Sequence, residues 1–108
     1  RLTNNYPAMK HTIKLKDLND LIQNLNEYHG KPLRPWMTGR ELKNTATANH
    51  QCGQMVANVG NYHLSRAYGG FNVNQMANER GGCSEPAGHG HVSKKECFAR
   101  IRSLFTAA

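Results

Sequence analysis

The sequence predicts an all-α domain, a compact bundle of about five short helices behind a short extended basic arm. Three observations carry that expectation. Thr38–Glu41, Asn72–Gln75 and Ser93–Glu96 each place a capping residue three positions before a Glu or Gln, the spacing of a capping box. Apolar residues recur at helical spacing after Asp17 and after Ser93. The pairs Gly69-Gly70 and Gly81-Gly82 stand where helices would stop.

Residues 1–16 read as the arm, with Ile13 and Leu15 alternating against Thr12, Lys14 and Lys16. Met9 is a candidate natural start, with Arg1 to Ala8 then a remnant of cloning; otherwise the whole is cut from a longer chain. Residues 17–108 read as one helical domain. Asp17 caps the first helix, Asp20 follows three residues later, and Gly30 lies just past its end. Leu18, Leu21, Ile22 and Leu25 form its apolar stripe, while Asn19, Asp20, Gln23 and Glu27 face away. Pro32 and Pro35 make the next segment a connector.

Thr38 opens the second helix, with Met37 and Leu42 in the staple positions. Its inner arc is Leu42, Ala46, Cys52, Gly53, Val56, Ala57 and Val59. The small residues Ala46, Gly53 and Ala57 suit close approach of a helix from this chain or from a second copy, so a homodimer is among the expected states. Residues 61–68 read as a third helix, turned at Gly69-Gly70 into a fourth that carries Val73, Met76 and Ala77 inward. Residues 83–91 contain Pro86, Gly88 and Gly90 and read as a loop. The last helix is stapled by Val92 and Cys97 and carries Cys97, Phe98, Ile101, Leu104 and Phe105 on one stripe.

At 108 residues there is room for one domain and one core. Hydrophobic residues make up 38%, below the roughly 45–50% of an average globular chain, so the core is expected to be thin. Fourteen Lys and Arg against seven Asp and Glu leave a net charge of +7, which favours polyanions: nucleic acid, an acidic protein or an anionic surface. Three cysteines, an odd number without a CxxC pair, argue against a disulfide framework and for a reducing, cytoplasmic setting. No apolar run reaches the length of a membrane span, and the first residues hold no secretory signal.

Four constellations could carry chemistry. The first is a helix–turn–helix over residues 61–80, with Asn74, Gln75 and Asn78 offering amides to base edges. Arg66 and Arg80 stand near it, and Lys95 and Arg102 lie a heptad apart on the last helix, placed for phosphates. An ordinary helical hairpin with a polar face explains the same residues. The second is a zinc site from Cys83, His89, His91 and Cys97, whose loose spacing competes with a buried, inert Cys97. The third is hydrolytic: His89 and His91 on a glycine-rich loop, with Lys94 and Lys95 behind them, have the groups for phosphodiester cleavage. No nucleophile-elbow, phosphate-loop or metalloprotease motif accompanies them, so the balance is against an enzyme. The fourth is an aromatic anchor, Trp36 or Tyr6, each near a proline.

The leading expectation is therefore a small basic nucleic-acid-binding accessory or regulatory protein, of the kind a phage or plasmid encodes. The alternative is an interaction or inhibitor module that docks on an acidic partner protein. A zinc-stabilised or hydrolytic protein comes third, and no cofactor other than zinc is expected.

Overall fold

The computed structural model describes residues 12–38 and 55–106. They form helix α1 (Leu15–His29), strands β1 (Tyr62–Ala67), β2 (Gly70–Met76) and β3 (Cys83–Ser84), and helix α2 (Lys94–Ser103). The strands make an antiparallel sheet in the order β1-β2-β3. The architecture is α+β, which corrects the all-α bundle: among the described residues there are two helices and a sheet.

The correction falls on residues 61–80, read above as a helix–turn–helix. They form a β-hairpin, paired from Tyr62↔Gln75 to Ala67↔Gly70. The reason is a period of two. Tyr62, Leu64, Phe71 and Val73 take one face, and His63, Ser65, Asn72 and Asn74 take the other. The corner is Tyr68-Gly69 rather than Gly69-Gly70. Both turn residues have positive φ, 54° and 74°, as the tight two-residue hairpin turn demands. Asn72 and Gln75 have capping-box spacing only by coincidence, since both sit inside β2.

Both terminal helices begin and end by local chemistry. In α1, Asp17 lies at the third helical position and its carboxylate accepts the Lys14 N–H at 2.8 Å, so the helix starts at Leu15 rather than after Asp17. Gly30, at φ 67°, closes the helix; its N–H donates to Glu27 O at 3.2 Å and that of Lys31 to Asn26 O at 2.7 Å. In α2 the Ser93 hydroxyl accepts the Glu96 N–H at 3.2 Å, as the Ser93–Glu96 spacing predicts. The Thr38–Glu41 box runs into residues 39–54, outside the described residues, as do Leu42, Ala46, Cys52 and Gly53. Val56 and Ala57 are buried as expected, though in an extended segment where Ala57 bridges Trp36, whereas Val59, expected on the same inner arc, is exposed.

The core lies between the helices and one sheet face. Leu18, Ile22 and Leu25 of α1 and Cys97, Ile101 and Leu104 at α2 close on Tyr62 and Val73. Burial on this scale contributes roughly 1.5–3 kcal/mol for each large side chain. The His29 ring joins the far ends of the two helices through Nε2 and Leu104 O, 2.8 Å apart.

Gly81 secures the remaining corner. It sits at φ 97°, and a Cβ there would stand 2.6 Å from the Trp36 ring. Gly81→Ala is expected to cost roughly 1–3 kcal/mol through strain and collision, read as a lower midpoint of thermal unfolding.

Candidate functional site

The hairpin turn reaches beyond the core beside α2. There Gly69, Phe71, Lys94, Lys95, Phe98 and Arg102 border a groove of about 710 Å³, and Thr12 and Ile13 reach it from the segment before α1. Its floor is apolar and its rim cationic. Among the described residues no Asp or Glu lines it. Two cations lie over the Phe71 ring, Arg66 with its guanidinium carbon 5.7 Å from the centroid and Lys94 with its ammonium at 5.6 Å. At the tip stands Tyr68, fully exposed and the one described non-glycine residue at positive φ. An exposed bulky residue held in the left-handed region costs energy that a glycine or asparagine would spare.

The groove collects three of the seven residues expected to touch nucleic acid: Lys95 and Arg102 on its rim and Arg66 beside it. The other four are dispersed. Gln75 points to the helix side and donates to Gly60 O at 3.1 Å. Asn74 points to the opposite sheet face, across from His63. Asn78 spends its side-chain oxygen on its own turn, accepting the N–H of Arg80 at 2.9 Å and of Gly82 at 3.0 Å. Arg80 is exposed in that turn. A row of amides on one helix face thus becomes a set split by the strand's alternation. Tyr68, Phe71 and Lys94 were not singled out for binding, because their convergence depends on a hairpin that no local spacing announced.

The proposed zinc ligands do not converge. Cys97 is wholly buried in the core and its thiol is pushed up to about 11 by burial, Arg100 opposing. Cys83 lies exposed on β3, on the sheet's other side, and among the described residues no three His, Cys, Asp or Glu side chains gather for a metal. His91 instead packs across Gly70 and reaches Ser65, with Nε2 and Oγ 2.9 Å apart. His89 pairs with Glu85 through Nδ1 and Oε1.

Residues 85–91 are a tied loop, and buried Asn72 is the knot. Its Nδ2 donates to Glu85 Oε2 and to Gly88 O, both at 3.0 Å. Its Oδ1 accepts from Arg100 at 2.9 Å. Arg100 also donates to Gly90 O at 2.8 Å and His89 O at 3.2 Å. Loss of water alone would raise the Glu85 carboxyl. The Gly90 N–H, the Asn72 amide and His89 outweigh that and hold it below the ordinary glutamate range. A carboxyl lowered on folding adds stability above its unfolded pKa and loses it as pH falls through the folded one. Loop protection is therefore expected to fade from about pH 4 downward, and Glu85→Gln to flatten that dependence, read by hydrogen exchange across residues 85–91.

Comparison with family models, curated proteins and solved structures gave no match for this chain. Among the described residues no helix is long and apolar enough to cross a membrane.

Proposed function

We propose that this chain binds single-stranded nucleic acid across the groove beside the β1–β2 turn. The observation that carries the reading is Tyr68, a fully exposed aromatic at positive φ on the tip of the hairpin that borders a lysine- and arginine-rimmed groove. An exposed ring at the tip next to an apolar floor with cations on the rim matches what an unpaired base and its phosphates require. The net charge of +7 supplies long-range attraction to the same ligand. This reading keeps the nucleic-acid partner expected from composition and moves its site from a recognition helix to a groove.

Affinity for a fluorescent single-stranded oligonucleotide tests it. Binding is expected to weaken steeply with salt, each released phosphate contact adding about 0.7 to the log–log slope. Lys95→Glu with Arg102→Glu is expected to lower affinity about tenfold or more at low salt. Tyr68→Asn separates function from fold: it creates an Asn-Gly turn, is expected to stabilise the hairpin by about 0.5–1 kcal/mol, and to weaken binding roughly fivefold or more. A Tyr68→Asn protein that binds as well as wild type, or no binding at low salt, sinks the proposal. A stoichiometric acidic protein held by the same cations would replace it with the docking alternative.

A further inference from the structure

The sheet face turned away from the helices carries a second constellation. Asn61, just before β1, and His63, its second residue, stand two residues apart. The pairing Met76↔Cys83 brings Cys83 over β2 towards them. Cys83 Sγ lies 3.7 Å from His63 Nε2, and His63 Nδ1 lies 3.3 Å from Asn61 Oδ1. Asn61 is fully buried, and its Nδ2 donates to Pro32 O at 2.8 Å. That bond fixes the amide so that the oxygen faces the ring. The ring then carries its proton on Nδ1, and the lone pair on Nε2 is directed at the thiol. Loss of water pushes His63 below the ordinary histidine range, against a hydrogen bond to the Asn61 backbone, so the ring is neutral and able to accept a proton.

We propose that Cys83, His63 and Asn61 form a nucleophilic thiol site, with Cys83 as nucleophile, His63 as general base and Asn61 as the positioning residue, acting on an ester or thioester carbonyl. Nucleophile, base and orienting group in hydrogen-bond sequence are what activates a thiol for acyl transfer. The Cys83 sulfur also lies 3.4 Å from Gly81 O and 3.8 Å from Met76 Sδ, neither of which is a base at neutral pH. Asn74, directly across from His63, holds a buried side-chain oxygen with no hydrogen-bond partner among the described residues. That oxygen is an unmet acceptor on the residue paired with His63, packed away from solvent.

The step balances with water as co-reactant. His63 Nε2 takes the thiol proton as sulfur bonds to the carbonyl carbon. The bond from that carbon to the leaving oxygen or sulfur breaks, and His63 returns the proton to the leaving group. Water then attacks the thioester through the same base, the carbon–sulfur bond breaks, and the thiol is restored with release of the acid.

The chain offers an internal reference thiol. Cys97 is buried in the core, so its alkylation should be slow and indifferent to His63. Iodoacetamide on the folded protein, with peptide mapping to follow each cysteine separately, is expected to modify Cys83 about tenfold faster at pH 7 in wild type than in His63→Ala. Free imidazole added to that variant is expected to restore the rate, which a merely structural histidine does not allow. p-Nitrophenyl acetate should give a burst of one equivalent of nitrophenol, with one acetyl group on Cys83 that water then removes. Cys83→Ser should abolish the burst at an unchanged melting temperature. Identical pH profiles for Cys83 in wild type and His63→Ala, or an acetyl group mapped elsewhere, overturns the proposal. The thiol lies on the opposite sheet face from the nucleic-acid groove, so neither test depends on the other.

Discussion

Replacing Asn26 by alanine is expected to lower stability by about 3 kcal/mol. Asn26 is wholly buried on α1, among the residues of the apolar stripe. Its Nδ2 donates to Tyr62 O at 3.0 Å and its Oδ1 accepts the Tyr62 N–H at 2.8 Å. Tyr62 opens β1, which among the described residues pairs with β2 alone. The side chain therefore serves the strand's open edge as a neighbouring strand would. Alanine leaves a buried donor and a buried acceptor unpaired, each costing about 1–3 kcal/mol. For a domain of this size the melting temperature should fall by roughly 10–25 °C. Asn26→Asp sharpens the test, because it keeps the shape and sets a carboxylate oxygen against the Tyr62 carbonyl. It is expected to be no better than alanine at neutral pH. An unchanged melting temperature in both variants would show that water takes over the pairing.

The second large effect is expected at Arg100. One guanidinium reaches Asn72, Gly90 and His89, and packs where a Cβ on Gly88 would stand 3.1 Å away. Arg100→Ala removes charge-assisted bonds and should cost roughly 2–3 kcal/mol. The loss should be uneven. Residues 85–91 are expected to gain hydrogen exchange and protease sensitivity before α1 does, and His91 to leave Ser65. Arg100→Lys keeps the charge and loses the planar fork, so less than half of the loss should be recovered. Equal loosening of loop and helix, or none, would remove Arg100 as the loop's anchor.

Asn26, and Asn72 which Arg100 holds, also mark where the sequence stops being legible. Asn26 and Asn72 belong to an amide-rich composition with 12 asparagines, which suggests a large polar surface. Asn26, Asn61 and Asn72 are instead wholly buried, each pairing backbone or side chains that sit far off in sequence or across a loop. Nothing in the spacing of an asparagine distinguishes a solvated amide from one that joins a helix to a strand. The groove was legible in part, through Lys95 and Arg102 a heptad apart and through Arg66. Its aromatic tip was not, because Tyr68 acquires its meaning only from the turn it occupies.

The sequence by itself determined the features whose chemistry closes within a few residues. Ser93 capping Glu96 N–H, Gly30 ending α1, the stripe of Leu18, Ile22 and Leu25, and the burial of Cys97 in the final helix all follow from contacts one helical turn apart. Net charge is equally a property of the chain alone. The tertiary structure decided what depends on pairing between distant segments. Residues 61–80 carry weak signals for helix and for strand together. The hairpin prevails because Tyr62, Leu64, Phe71 and Val73 can then lie together against the two helices. That single choice of period, two rather than 3.6, moved the amides apart, raised Tyr68 beside the groove, and set His63 within reach of Cys83. Helical bonds are local and can be read locally; a strand's bonds lie in its neighbour, and so does its function.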